Sequence, residues 1–128
     1  MKLLLDTNAL VWISQKSPRI EPILPELLSP QNQVFFSTLN LWEIAIKNKV
    51  SRPTPLVEDV YELYLALLAS ETQELSITAR HVLFTEKLDL IHRDPFDRLL
   101  IAQAICENMT IVTADRQFAQ YAVETILI

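Results

Sequence analysis

The sequence predicts an α/β protein whose parallel sheet is covered by helices on both faces. Short apolar segments typical of buried strands alternate along the chain with longer segments of helical periodicity. Hydrophobic residues make up 50% of the chain and charged residues 21%, a balance that favours a folded core over disorder. The length of 128 residues suits a single compact domain over residues 1–128.

The first half of the chain predicts two strands and four helices. The strands are the apolar segments 2–5 and 34–36. Helices are expected at about 7–14, 21–28, 38–49 and 57–68. Ser37 and Thr38 are residues that can cap the third of these helices. The fourth has a broad apolar face, expected to pack in the core, with a contact to another protein chain as the alternative.

The second half continues the alternation. Strands are expected near 74–76, 110–112 and 125–128, and helices at about 78–86 and 94–106. Pro95 suits the first turn of the last helix, because proline needs no hydrogen-bond acceptor for its nitrogen there. Strands that alternate with helices in this way are expected to run parallel.

Composition excludes several classes of protein. The net charge of −5 argues against binding to nucleic acid or membrane by bulk charge alone. Glycine is absent, which excludes phosphate loops of the P-loop and dinucleotide-binding types. A single cysteine, Cys106, excludes an internal disulfide and a cysteine-based zinc site. Asp6 interrupts the leucine run near the start, so neither a signal peptide nor a membrane span is predicted, and a cytoplasmic location is expected.

Four acidic residues occur where strands end or the following helices begin. Asp6 directly follows the first strand, and Asp115 lies three residues after the strand 110–112. Glu43 lies in the helix after the second strand, and Asp97 lies in the first turn of the last helix. The carboxyl ends of parallel strands share one edge, so these acids should approach one another. Clustered carboxylates repel and favour Mg²⁺ or Mn²⁺, the metals of nucleases and phosphatases.

Each acid also has a structural interpretation. The acid after the first strand could cap the helix that it precedes. Asn40 and Glu43 could form a capping box if their helix began late. Asp94 is expected to cap its helix, and Asp97 could be the matching capping-box acid. Asp115 could belong to a surface turn.

Four segments together resemble the PIN domain, and more narrowly the VapC-type toxin ribonucleases of bacterial toxin–antitoxin pairs. They are LLLDTNAL at 3–10, STLNLWEI at 37–44, HRDPFDRLLIAQA at 92–104 and VTAD at 112–115. The resemblance implies a three-layer α/β/α domain with a small parallel sheet. It also implies Mg²⁺- or Mn²⁺-dependent cleavage of RNA, with tRNA or another structured RNA as substrate, and a cognate antitoxin as partner. A homodimer is expected, without membrane contact.

The resemblance also assigns residues. It implies that the catalytic and metal-binding acids are Asp6, Glu43, Asp97 and Asp115. Polar groups around the metal and its waters would be Thr7 or Asn8, Ser37 and Thr113. Asp94 matches an extra acid with a supporting or capping role. A basic rim for RNA would include Arg93, Arg98 and Arg116.

Other basic residues near these segments have a weaker interpretation. They are Lys47, Lys49, Arg52, Arg80, His81 and His92. Ordinary solvated surface explains the lysines equally well. The two histidines are expected to be surface or packing residues rather than metal ligands.

Three alternative functions fit the sequence less well than a nuclease. A non-catalytic PIN-like module that binds RNA or protein would not need four mutually repelling acids. A phosphoacceptor receiver domain needs adjacent acids after the first strand and a lysine after a late strand, and neither is present. A haloacid-dehalogenase-like phosphatase needs Asp-x-Asp after the first strand, whereas residues 6–8 are Asp-Thr-Asn.

Overall fold

The computed structural model describes residues 1–50 and 54–128 and contains one five-stranded parallel sheet. The strands are β1 (Lys2–Leu5), β2 (Gln33–Ser37), β3 (Gln73–Leu75), β4 (Thr110–Thr113) and β5 (Thr125–Leu127). Their order in the sheet is β3-β2-β1-β4-β5. The predicted α/β class is confirmed, and β1 has the predicted bounds.

Within the residues that the structure describes, six α-helices lie between the strands. They are α1 (Thr7–Ser14), α2 (Leu24–Leu28), α3 (Thr38–Val50), α4 (Val60–Ala69), α5 (Ala79–Phe84) and α6 (Pro95–Glu107). Three short 3-10 helices occupy Pro18–Ile23, Thr85–Lys87 and Arg116–Gln120. None of the helices in the described ranges is both long and apolar enough to cross a bilayer.

Two helical segments have boundaries that differ from those predicted from the sequence. The segment predicted at 21–28 is a 3-10 helix followed by the five-residue α2. Pro22 lies inside the 3-10 helix, where it disrupts regular α-helical hydrogen bonding. The helix predicted from residue 57 begins at Val60, because the Asp59 side chain accepts the amide hydrogens of the first turn and caps α4.

Alternation along the strands produces a core on each side of the sheet. Leu3 and Leu5 contribute to one core and Leu4 contributes to the other. The first core contains residues of α1 and α4, and the second contains residues of α6. This is the three-layer arrangement expected from the resemblance.

A left-handed residue ends the helix that carries Asp97. Asn108, the carboxyl-terminal cap of α6, has φ 56° and ψ 53°. Asparagine tolerates this conformation better than other non-glycine residues, so the chain ends α6 without glycine.

Candidate metal centre

The four predicted acids line one small pocket at the carboxyl edge of the sheet. Its volume is about 130 Å³. Asp6 follows β1 and Asp115 follows β4, which are hydrogen-bonded neighbours. Glu43 is in α3, directly after β2, and Asp97 is in the first turn of α6. The other lining residues are Thr7, Asn8, Lys47, Asp94 and Phe118. The predicted convergence of the acids is therefore observed.

Asp6 both caps α1 and faces the pocket. Its Oδ1 accepts a hydrogen bond from the Ala9 amide at 2.8 Å, and its Oδ2 accepts one from the Thr113 hydroxyl at 2.5 Å. Burial raises its pKa to about 6 although these two hydrogen bonds act to lower it. The nearby Glu43 and Asp115 carboxylates add to the rise. The capping and site interpretations of Asp6 are thus compatible.

Glu43 is buried and held through both of its carboxylate oxygens. The Thr7 hydroxyl donates to Oε1 at 2.5 Å, and the Lys47 ammonium contacts Oε2 at 2.6 Å. The alternative interpretation of Asn40 and Glu43 as a capping box is not observed. Asn40 instead accepts the amide hydrogen of Ser37, which is the residue that precedes α3.

Asp97 is half-buried in the pocket, as is Asp115. Burial raises its pKa to about 7, and the nearby Asp94 carboxylate adds to the rise. Asp94 is the N-cap of α6, since its Oδ1 accepts from the Phe96 amide at 2.8 Å. Asp97 therefore faces the pocket rather than completing a capping box.

His92, expected from the sequence to be a surface or packing residue, contacts an acid of the pocket. It is buried, and its Nε2 lies 2.8 Å from Asp115 Oδ2. Its Nδ1 lies 2.9 Å from the Tyr121 hydroxyl, which can donate to it. Nε2–H would then donate to the carboxylate and orient Asp115. His92 lies two residues before the Asp94-Pro95 motif, but its partner Asp115 is 23 residues away and has no local signal.

The polar residues predicted around the acids occupy different places. Thr7 and Thr113 contact Glu43 and Asp6 directly, whereas Asn8 is exposed and lines the pocket. Ser37 is fully buried and does not line it.

The residues of the pocket fit a hard divalent cation. The four predicted carboxylates could supply oxygen ligands, the preferred donors of Mg²⁺ and Mn²⁺. Two of them have raised pKa values because burial and neighbouring negative charge disfavour their ionised forms. A cation in the pocket would remove that penalty. One ring nitrogen of His92 and one carboxylate oxygen from each of Asp97 and Asp115 lie within 4.8 Å of one another. With its Nε2–H donated to Asp115, His92 would support that carboxylate rather than bind the cation itself.

The predicted basic rim divides into exposed and structural residues. Arg93 and Arg116 are exposed. Arg93 directly precedes Asp94 in the sequence, and Arg116 directly follows Asp115. Arg98 is half-buried instead, and its guanidinium donates to carbonyl oxygens of the loop before α6. The acceptors are Thr85, Leu88, Asp89 and His92. The expected RNA contact by Arg98 is therefore not supported, because its donors hold this loop.

Two further basic residues lie away from the acids. Arg80 and His81 contact Glu107 at 3.2 Å and 2.9 Å. Glu107 ends α6 and Asp97 begins it, so about 15 Å of helix separates them. Arg80 and His81 are thus not part of a rim around the pocket. Arg52 lies outside the described residues.

Solved structures share this fold. A chain in the complex of VapBC2 from Rickettsia felis with a promoter DNA fragment matches at a TM-score of 0.74 and 23% identity, covering 99% of this chain and 98% of that chain. A chain of DNA-bound VapBC from Salmonella typhimurium matches at a TM-score of 0.67 and 17% identity, covering 98% of this chain and 97% of that chain. A chain of VapBC-5 from Mycobacterium tuberculosis matches at a TM-score of 0.60 and 21% identity, covering 99% of this chain and 98% of that chain.

Comparison with curated proteins finds no match to this sequence. The family model described as PIN domain, however, matches residues 3–124, which include the four predicted acids of the pocket. The fold, the position of the acids and this match agree, and the chain belongs to the PIN domain family.

Proposed function

We propose that this protein is a metal-dependent endoribonuclease, the toxin of a VapBC-type toxin–antitoxin pair. The observation that carries the proposal is the convergence of four carboxylates, two with raised pKa values, on one pocket. Nuclease activity is typical of VapC toxins in the PIN family. An RNA substrate and a cognate antitoxin would place the protein in the cytoplasm.

Asp6 and Asp97 would hold the principal Mg²⁺ or Mn²⁺, and Asp115 would support a second ion or a water molecule. When bound, the ion lowers the pKa of water and offsets the charge of the phosphate. Glu43 would act as a ligand or as the base that orients the attacking water. Attack of water on phosphorus would break the bond to the 3′ oxygen, leaving a 5′-phosphate and a 3′-hydroxyl.

Positive charge that could attract a phosphate backbone is confined to a few exposed arginines near the pocket. The net charge is −5, so the exposed Arg93 and Arg116 would have to provide the contacts that position RNA. The acids themselves would attract a basic side chain of an antitoxin.

The exposed apolar residues of α4 support a protein contact. Leu63 and Leu67 pack in the core, whereas Tyr61, Leu65 and Leu68 are exposed. An antitoxin or a second copy of the chain would cover such a face. Mass measurement of the protein alone and with its antitoxin by light scattering would distinguish these two occupants.

Incubation with total bacterial RNA, including tRNA, tests the proposed activity. In Mg²⁺ or Mn²⁺ we expect discrete fragments, which EDTA and Asp97→Asn abolish. Asp59→Asn is the matched control, because it makes the same chemical change at the exposed cap of α4. Equal cleavage by Asp97→Asn would contradict the assignment of the site. Mn²⁺ binding without cleavage of any RNA would favour the non-catalytic module.

A further inference from the structure

Glu43 is connected to the beginning of α3 by a series of buried hydrogen bonds. Asn40 is fully buried, and its Nδ2 donates to the Thr7 hydroxyl at 3.0 Å. Thr7 in turn donates to Glu43 Oε1 at 2.5 Å. Asn40 Oδ1 accepts from the Ser37 amide at 2.7 Å. The helix cap and the acid of the pocket therefore share one side chain.

The donors and acceptors in this series have a fixed direction. A backbone amide can only donate, so the oxygen of Asn40 must face Ser37 and its NH₂ group must face Thr7. The Thr7 oxygen accepts that hydrogen bond, and its own hydrogen is directed at Glu43 Oε1. Oε1 is thereby engaged inside the protein. Oε2 is the oxygen contacted by the half-buried Lys47 ammonium in the pocket.

Ser37 is itself held in place from the other side. Its hydroxyl donates to Gln103 Oε1 at 2.6 Å and accepts from the Leu39 amide at 3.1 Å. Ser37 and Gln103 are both fully buried. The anchor of Asn40 is therefore a rigid junction between β2, α3 and α6, rather than a mobile surface turn.

We propose that Asn40 is a positioning residue for Glu43. Through the Thr7 hydroxyl it fixes the carboxylate so that Oε2 is offered to a divalent cation. The inference rests on the proposed function and adds to it a residue outside the pocket, since Asn40 does not line it. Loss of such supporting hydrogen bonds typically weakens metal binding about 10- to 100-fold.

The substitution Asn40→Asp tests the role of Asn40 in positioning Glu43 separately from its role in capping α3. The substitution keeps an oxygen for the Ser37 amide but replaces the donor to Thr7 by a second oxygen. The Thr7 hydrogen then has two competing acceptors and no longer fixes Glu43. The added negative charge alone would strengthen cation binding, so a weaker affinity cannot be an effect of charge.

Asn48→Asp is the matched control on the same helix. Asn48 Nδ2 donates to the Val57 carbonyl at 2.9 Å, and its Oδ1 accepts from the Leu56 amide at 2.7 Å. The substitution therefore removes one donor and keeps one acceptor, as at Asn40, without touching Glu43. Its free energy of unfolding shows how much of any effect is stability.

Mn²⁺ affinity is measured by electron paramagnetic resonance of the free ion, below the melting temperature of each variant. We expect Asn40→Asp to weaken binding about tenfold or more and Asn48→Asp to change it less than about twofold. In a Thr7→Val background Asn40→Asp should have no further effect, because the connection to Glu43 is already broken. If Asn40→Asp does not fold, Asn40→Ala is compared with Asn48→Ala in the same way.

Two results would overturn the inference. One is wild-type affinity in the Asn40 variant, and the other is an effect that adds fully to that of Thr7→Val. Either result leaves the proposed nuclease intact if wild-type protein binds Mn²⁺ and cleaves RNA. Failure of the wild-type protein to bind Mn²⁺ would overturn the proposed function, and this inference with it.

Discussion

Asp97 is expected to destabilise the cation-free fold at neutral pH. Burial and neighbouring acids raise its pKa from 3.8 to about 7. The folded protein therefore binds a proton more tightly than the unfolded chain does. Stability from this group is fully present below the unfolded pKa and is lost as the pH rises through about 7. Replacing the acid by a neutral side chain removes that loss.

The rise corresponds to about 4 kcal/mol if it is fully expressed in stability, at about 1.4 kcal/mol per pKa unit. Asp97 is half-buried, so solvent screening reduces the expected gain from Asp97→Asn to about 1 to 2 kcal/mol at pH 8. For a chain of this size the gain corresponds to a rise in melting temperature of about 3 to 8 °C. Near pH 4 the gain should vanish, because wild-type Asp97 is then protonated in the folded protein.

Urea denaturation in EDTA, at several pH values between 4 and 8, measures this difference. The gain from Asp97→Asn should grow between pH 4 and 7 and then level off. Asp59→Asn, at an exposed helix cap, should show no comparable growth. A gain of equal size at pH 4 and pH 8 would show that packing rather than ionisation is responsible. A loss of stability at pH 8 would refute the reasoning.

Three further predictions concern the surroundings of the acids. Thr113→Val should lower the free energy of unfolding by about 1 to 3 kcal/mol in urea denaturation, because the Asp6 carboxylate loses a buried donor; an unchanged value would contradict that role. Arg98→Ala should lower the free energy of unfolding by about 2 kcal/mol, because the loop carbonyls lose their donor, while Mn²⁺ affinity stays within about twofold. A loss of RNA affinity without a loss of stability would instead support an RNA contact by Arg98. Arg93→Gln and Arg116→Gln should each weaken RNA binding in filter assays, with the free energy of unfolding unchanged. Each should also reduce the slope of log affinity against log salt concentration by about one released counterion. An unchanged slope would exclude a phosphate contact by that residue.

The approach of the four acids could be predicted because it depends on topology. Asp6 and Asp115 follow strands, and the rule that parallel strands end at one edge requires no knowledge of packing. Glu43 and Asp97 lie near the beginnings of helices at that edge. Their assignment as metal ligands remains a prediction, since it came from the resemblance and from the chemistry of clustered carboxylates.

The contacts that hold the acids could not be predicted from local patterns. Asn40 and Thr7 are 33 residues apart, and Ser37 and Gln103 are 66 apart. Each is a common polar residue within an ordinary helix or strand end, so neither composition nor periodicity indicates its partner. Arg98 shows the same difficulty. Its charge suggested RNA, whereas the tertiary fold places carbonyl oxygens of the preceding loop within hydrogen-bond distance of its guanidinium.

The acids of the pocket differ in how firmly they are held, and this difference explains the choice of Asp97 for substitution. Asp6, Glu43 and Asp115 each accept hydrogen bonds from residues outside their own turn. Among the described residues, no hydrogen bond acts to lower the pKa of Asp97. Its carboxylate therefore has the most to gain from a cation and the least structure to lose on replacement. The same substitution should consequently stabilise the fold and abolish cleavage, a combination that simple damage to the protein cannot produce.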